Sequence, residues 1–269
     1  MDFSEDNRFL VCSLGGSKQI AIYRLSKEGG TLYKQFDISK SLSIQHNSLA
    51  RNYYPSRICV SGTAERMCIV LVCSGDDTVL RVYDGNGNMK ARIDNAQLEN
   101  YGSSFNYHRD YFATGSFASD TKIYAISRVS STQEYQKFTK IMNLAGPRSS
   151  VFDVSFDQHD RVGVVSKDHC FYIWNIDVRY QVQEDPHLLN RIDLGKEYNH
   201  VVLHPVEDIA VATSGVECVI FNPMDNSNRT TISEVAATSV KDMKASPDGK
   251  YFAILGMNEK QVTVWKYSN

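Results

Sequence analysis

Short apolar runs alternate with short polar clusters along the whole chain, and the runs are five to seven residues long, the length of strands rather than helices. Six of them carry an aromatic residue near their end: QIAIYRL (19–25), TVLRVYD (78–84), TKIYAI (121–126), CFYIWNI (170–176), ECVIFNP (217–223) and QVTVWKY (261–267). The aligned aromatics are Tyr23, Tyr83, Tyr124, Trp174, Phe221 and Trp265, separated by 60, 41, 50, 47 and 44 residues. Such regularity is a repeat and has to be read before any single motif. No helix-period pattern of useful length competes with it, which argues against an α/β cofactor fold.

A second apolar strand precedes each aromatic one: FLVCS, IVLVCS, YFATGS, VGVVS, IAVATS and FAILG. Small polar turns join the two, and further turns such as FSEDNRF, FDQHDRV and ASPDGKY lie upstream, where Asp, Asn, Pro and Gly supply hairpin backbone angles. A looser fourth strand follows, as in LLNRIDL and FTKIMNL. One four-stranded sheet cannot bury both faces, and stacking several about an axis solves that problem. The expectation is an all-β fold, a single β-propeller over 1–269, with six four-stranded blades at about 1–37, 55–97, 101–145, 150–195, 198–234 and 238–269 and an insertion at 38–54. The period brackets the roughly 40 to 45 residues of a WD-repeat blade.

Asp before the aromatic strand, Trp at its end and the Ser246–Gly249 turn resemble WD-repeat signatures, while that family's Gly-His dipeptide is missing throughout. The segments VSKDHCFYIWNIDVRYQVQEDPHLL (165–189) and ATGSFASDTKIYAI (113–126), with the compact last repeat, are similar to the transducin beta-like family over nearly the whole chain. That resemblance implies a seven-bladed ring, held by a membrane anchor at the cytosolic face of the endoplasmic reticulum. It further implies a stress-sensing kinase of the unfolded-protein response as partner, and links to translation, RNA and ribosome-associated factors. Family members carry an anchor and a first blade ahead of the point where this sequence starts, so it reads as a member lacking both, soluble and cytoplasmic by itself.

Charge and cysteine content narrow the function. A formal net charge of −2 builds in no general attraction to nucleic acid or anionic lipid. Cys12, Cys59, Cys68, Cys73, Cys170 and Cys218 are scattered without C-x-x-C spacing, which suits buried free thiols in a reducing compartment. The longest apolar run, MCIVLVC, has seven residues, against the about 20 that a membrane-spanning helix needs.

Asp168, His169 and Cys170 stand side by side and have the residue types of a metal or thiolate site. In the WD-repeat scheme the Asp of this turn accepts backbone and His hydrogen bonds; Asp168 takes that place, with Asp77 and Asp120 as its equivalents. A repeated Asp is architecture, because a catalytic residue is needed once. DGNGN (84–88) lacks the calcium-loop Gly and Glu, having Met89 and Asn95 at those positions. His200 and His204 lie on a strand, about 13 Å apart at roughly 3.3 Å per residue. No catalytic, cofactor or metal residue is therefore expected.

One stretch breaks the period. Residues 39–57, SKSLSIQHNSLARNYYPSR, bring Arg51, Tyr53, Tyr54 and Arg57 together, residue types enriched at binding hot spots and able to stack on bases. The sequence points to a non-enzymatic scaffold that binds partners through its loops. The alternatives are an RNA-binding propeller and a propeller enzyme with axial residues.

Overall fold

The computed structural model describes residues 1–14, 17–42, 54–73, 77–128, 135–259 and 261–267. Among these residues, six sheets follow one another along the chain. Sheet one comprises Asp2–Phe3, Phe9–Ser13, Gln19–Ser26 and Gly29–Asp37; sheet two Pro55–Ser61, Cys68–Cys73, Val79–Asp84 and Met89–Asp94; sheet three Ser103–Phe105, Tyr111–Thr114, Thr121–Arg128 and Tyr135–Leu144. Sheet four comprises Val151–Phe156, Arg161–Ser166, Cys170–Asn175 and His187–Asp193, and sheet five His200–Leu203, Ala210–Ser214, Glu217–Phe221 and Thr230–Ile232. Sheet six has three strands among the described residues, Val240–Ala245, Tyr251–Gly256 and Val262–Lys266. Within each sheet, strands consecutive in the chain are hydrogen-bonded neighbours.

The turn from first to second strand uses one device repeatedly. Asn7, Arg109, Asp160 and Gly249 occupy the same place in sheets one, three, four and six, all with left-handed φ between 55° and 69°. Asn and Asp tolerate that region, and Gly enters it at no steric cost. In sheet six Ser246 Oγ donates to Asp248 Oδ1 (2.7 Å) and accepts from Tyr251 N (2.9 Å), closing the turn. Ser4 and Asp6 repeat the arrangement in sheet one.

Cα packing divides the chain into two compact units, Met1–Phe105 with Arg109–Phe112 and Tyr124–Thr139, and Asn106–His108 with Ala113–Ile123 and Lys140–Asn269. In the first, Phe9, Val11, Ile20 and Ile22 of sheet one pack on Ile58, Val60, Ile69 and Leu71 of sheet two. The opposite face of sheet two, with Val70, Leu80 and Val82, meets Phe105, Phe112 and Tyr124. In the second unit, Phe171 and Ile173 of sheet four meet Val201, Leu203 and Ala210 of sheet five, whose other face, with Val211 and Cys218, packs on Phe252 and Ile254 of sheet six. Middle strands covered on both faces explain why CIVLVC and CFYIWN read as unbroken apolar runs rather than alternating ones. Outer strands such as MKARID and HLLNRID are largely exposed and carry the charges that protect a sheet edge. No helix among the described residues is long and apolar enough to cross a membrane.

Candidate functional site

Asp168 lies in the turn between the second and third strands of sheet four, where its carboxylate accepts three hydrogen bonds. Oδ2 accepts from the Arg148 backbone N (2.8 Å) and the Tyr172 hydroxyl (2.7 Å), and Oδ1 accepts from Cys170 N (3.2 Å). Burial opposes its ionisation, but these hydrogen bonds outweigh burial and hold its pKa below the ordinary carboxylate value. Burial first, and then the Asp168 hydrogen bond, push Tyr172 up to about 12. The Arg148 amide comes from the connection between sheets three and four.

The other two members of the triplet diverge. His169 is exposed and takes a left-handed φ of 68°, with its backbone N donating to Ser166 O (3.1 Å), so it serves the turn geometry. Cys170 is buried; desolvation, reinforced by the Asp168 charge, raises its pKa, and a protonated thiol is a poor nucleophile. Arg191 donates to its sulfur at 3.0 Å. An exposed imidazole beside a buried thiol makes no catalytic dyad.

Asp77 precedes Tyr83 by as many positions as Asp168 precedes Trp174, and it carries a buried ion pair with Arg81. The Arg81 guanidinium also donates to Val79 O (3.0 Å) and Ser41 O (3.3 Å), while the Tyr83 hydroxyl donates to Ser41 Oγ (2.6 Å). A buried guanidinium is tolerated only with such full pairing. Arg81 was not singled out from sequence, although a charge inside an apolar strand four residues after an Asp is its signal. Asp120 is two positions nearer to Tyr124 than the other turn aspartates are to their aromatics. Its sheet places Ala118 in the Asp168 position: Ala118 N meets Ser116 Oγ (3.1 Å) as Asp168 N meets Ser166 Oγ (3.4 Å). Asp77 and Asp168 are thus equivalent, and Asp120 opens the following strand.

Tyr83, Tyr124, Trp174 and Phe221 are buried, whereas Tyr23 and Trp265 are half-buried. Trp174 stacks on Tyr172 (5.6 Å between centroids, 15° between planes) and Trp265 on Phe252 (6.3 Å, 11°). His204 is held by its backbone neighbours: Nδ1 accepts from Glu207 N (2.9 Å), and Nε2 lies 2.7 Å from Gly249 O. Asp84 accepts from Asn86 N and Asn88 N and pairs with Lys90, which makes DGNGN a closed turn. Burial raises the thiol pKa of Cys68 and Cys73 to about 12 and of Cys218 to about 11. Among the described residues, no group of three His, Cys, Asp or Glu could hold a metal ion.

The insertion between sheets one and two is flanked by a one-turn helix, Ser39–Leu42, and by the strand that begins at Pro55. Ser41 holds its leading end through Arg81 and Tyr83. At its trailing end Pro55 is buried, Tyr54 is exposed and Arg57 Nε donates to Tyr101 O (3.3 Å). Arg51 and Tyr53 lie outside the described residues. A hollow of about 280 Å³ in the second unit, lined by Lys140, Met142, Tyr180, Glu184 and Asp185 among others, falls below the usual volume of a small-molecule site.

No family model matches the chain. It is similar to mouse (Mus musculus) transducin beta-like protein 2, 22% identical over 261 residues, covering 94% of this chain and 56% of that protein. The human (Homo sapiens) protein of the same name is 20% identical over 259 residues, with the same shares covered. The chain thus spans little more than half the length of the curated relatives it matches. Among solved structures it is similar to a chain of the crystal structure of the mitotic checkpoint complex, with a TM-score of 0.69, 14% identity, and coverage of 99% of this chain and 73% of that one. Likeness at this level shows the fold: an all-β β-propeller, with six blade sheets among the described residues, distantly similar to transducin beta-like protein 2.

Proposed function

We propose that the chain is a non-enzymatic scaffold that binds other proteins through the insertion between sheets one and two. The observation that carries this reading is the anchoring of both ends of the insertion: the buried Arg81 and Tyr83 grip Ser41 on one side, and Pro55 is buried on the other. Flanks held in this way lower the ordering cost of binding at Tyr54 and Arg57. Tyr54 and Arg57, with Arg51 and Tyr53 of the same stretch, are the contact residues of this reading. Resemblance to the transducin beta-like family supports a finer version, in which the partner is a stress-sensing kinase of the endoplasmic reticulum and the place of action is the cytosolic face of that membrane. The same guanidinium and aromatic groups support RNA as a second partner class.

Affinity purification from stressed and unstressed cells, comparing the natural sequence with a variant in which Arg51, Tyr53, Tyr54 and Arg57 are all Ala, tests both versions. Loss of a stress-dependent kinase from the variant is the expected result; an unchanged partner set refutes the loop reading. Affinity for an RNA partner would fall steeply with added salt, and a salt-insensitive or undetectable RNA interaction removes the second version.

A further inference from the structure

Hydrogen bonds tie four loops together around Asp168. In the turn between the second and third strands of sheet three, Phe117 O accepts from Ser150 Oγ (3.2 Å) and Ser116 O from Val151 N (2.8 Å). Ser150 O in turn accepts from Lys167 N (2.9 Å), and the Asp168 carboxylate takes the Arg148 amide (2.8 Å). Past the turn of sheet four, His169 O accepts from Leu194 N (2.8 Å). All of these residues belong to the second compact unit, and the sheets that supply the loops, three, four and five, are each described with all four strands.

This frame presents one aromatic ring and a short row of basic side chains. Phe117 is 59% exposed although its backbone is held in place, so its apolar area is lost to water until something covers it. Arg148, Lys167 and His169 are exposed as well, and among the described residues none of the three side chains has a carboxylate partner. Asp168, which stands among them, is only half exposed, and its carboxylate is engaged by the Arg148 and Cys170 amides and the Tyr172 hydroxyl. Lys196, by contrast, is already paired with Glu217 (2.6 Å). Asp120 follows Phe117, and Asp193 and Glu197 stand close to Leu194 in the chain, so acidic residues bound the basic row at both ends.

We propose that this surface docks a short acidic segment of another protein, with one large apolar residue resting on Phe117 and flanking carboxylates paired with Arg148 and Lys167. Charge complementarity selects the partner and the aromatic contact supplies the anchor. The acidic bounds favour a peptide over a nucleic acid: a strand of RNA would carry its phosphates on to Asp120 or Glu197 and be repelled. An exposed stretch of the matching kind in the chain itself, DFSED (2–6) with Phe3 46% exposed, is committed elsewhere. Asp2 accepts from Val60 N (2.8 Å), and Glu5 from Ser61 Oγ (3.0 Å) and Gly62 N (2.6 Å), so neither this chain nor a second copy offers it. The surface shares no residue with the insertion between sheets one and two, and its failure leaves the loop reading untouched.

The test uses the full chain and a fluorescein-labelled peptide, GEDFDEG. Fluorescence anisotropy is expected to show saturable binding, at least about tenfold tighter than the neutral peptide GQNFNQG, and weakened at least about threefold when salt rises from about 50 to 500 mM. Phe117→Ala lowers affinity about threefold to tenfold. Arg148→Glu together with Lys167→Glu lowers it by about tenfold or more and gains binding to the charge-reversed peptide GKRFRKG. These substitutions leave the melting temperature unchanged, because the frame holds Phe117, Arg148 and Lys167 through their backbones. Equal binding of the neutral peptide, no binding of GEDFDEG at millimolar concentration, an affinity indifferent to the double substitution, or tighter binding of an oligouridylate than of the peptide would each overturn the proposal.

Discussion

Sheets four and six start from the same plan and reach different environments. Each has a third strand ending on a Trp that stacks on an aromatic neighbour. In sheet four the outer strand His187–Asp193 closes the edge, sheet five covers one face, and Ile173 is wholly buried. In sheet six the corresponding Val264 is 61% exposed. Apolar character places a residue in a strand; burial is conferred by what other parts of the molecule lay over it.

Mutation should expose the difference most clearly at that pair of positions. Ile173→Ala leaves a cavity inside a packed interface and should cost about 2–5 kcal/mol in urea unfolding. Val264→Ala should stay within about 0.5 kcal/mol. A comparable loss at Val264 would mean that the edge is covered in solution and the contrast is false.

Turn glycines sharpen it next. Gly249 of sheet six has φ +69°, and a Cβ there would stand 2.6 Å from the His204 ring, so Gly249→Ala should lower stability by about 2–3 kcal/mol. Gly195, which follows sheet four at φ +80°, has nothing within 4 Å of its would-be Cβ. Only the backbone penalty applies there, about 1–2 kcal/mol. Thermal denaturation of the two variants should rank them in that order, and the reverse order would discount the His204 contact.

The smallest effect concerns pH. Because the folded-state pKa of Asp168 is depressed, its stabilising contribution is present above the ordinary value of 3.8 and is lost as pH falls through the lower folded value. The stability gap between the natural chain and Asp168→Asn should be at most about 1 kcal/mol, reduced by solvent screening. It should stay level at neutral and mildly acidic pH and close below the ordinary value. Asp248 in sheet six, held at about 2 chiefly by the Ser246 hydroxyl, should behave alike but close near that lower pH. A gap that widens on acidification would reverse the assigned sign.

Much of the fold was legible because the repeat period and the turn residues are local signals. The six aromatic strands and their partners emerge where the apolar runs indicate. Asp120 was harder, since Asp-Thr before an apolar strand looks the same whether the Asp closes the turn or opens the strand. The Ser116 and Ser166 hydroxyl contacts separate the two cases. Arg81 passed unnoticed because strand patterning ranks charge as an interruption, while here a buried Asp and two carbonyls compensate it. Which outer-strand residues face the third strands of sheets one, two and four is set by register, because it slips before Tyr23, Tyr83 and Trp174.

The sequence by itself determined where strands begin and turn, since φ preferences at Asn7, Asp160 and Gly249 and the apolar character of each run act between near neighbours. Tertiary structure alone decided that Asp168 would be met by the Arg148 amide, that Arg81 would be buried, and that Ile173 would be wholly covered. Those outcomes depend on atoms brought from distant parts of the chain, whose desolvation and hydrogen bonds no local stretch encodes.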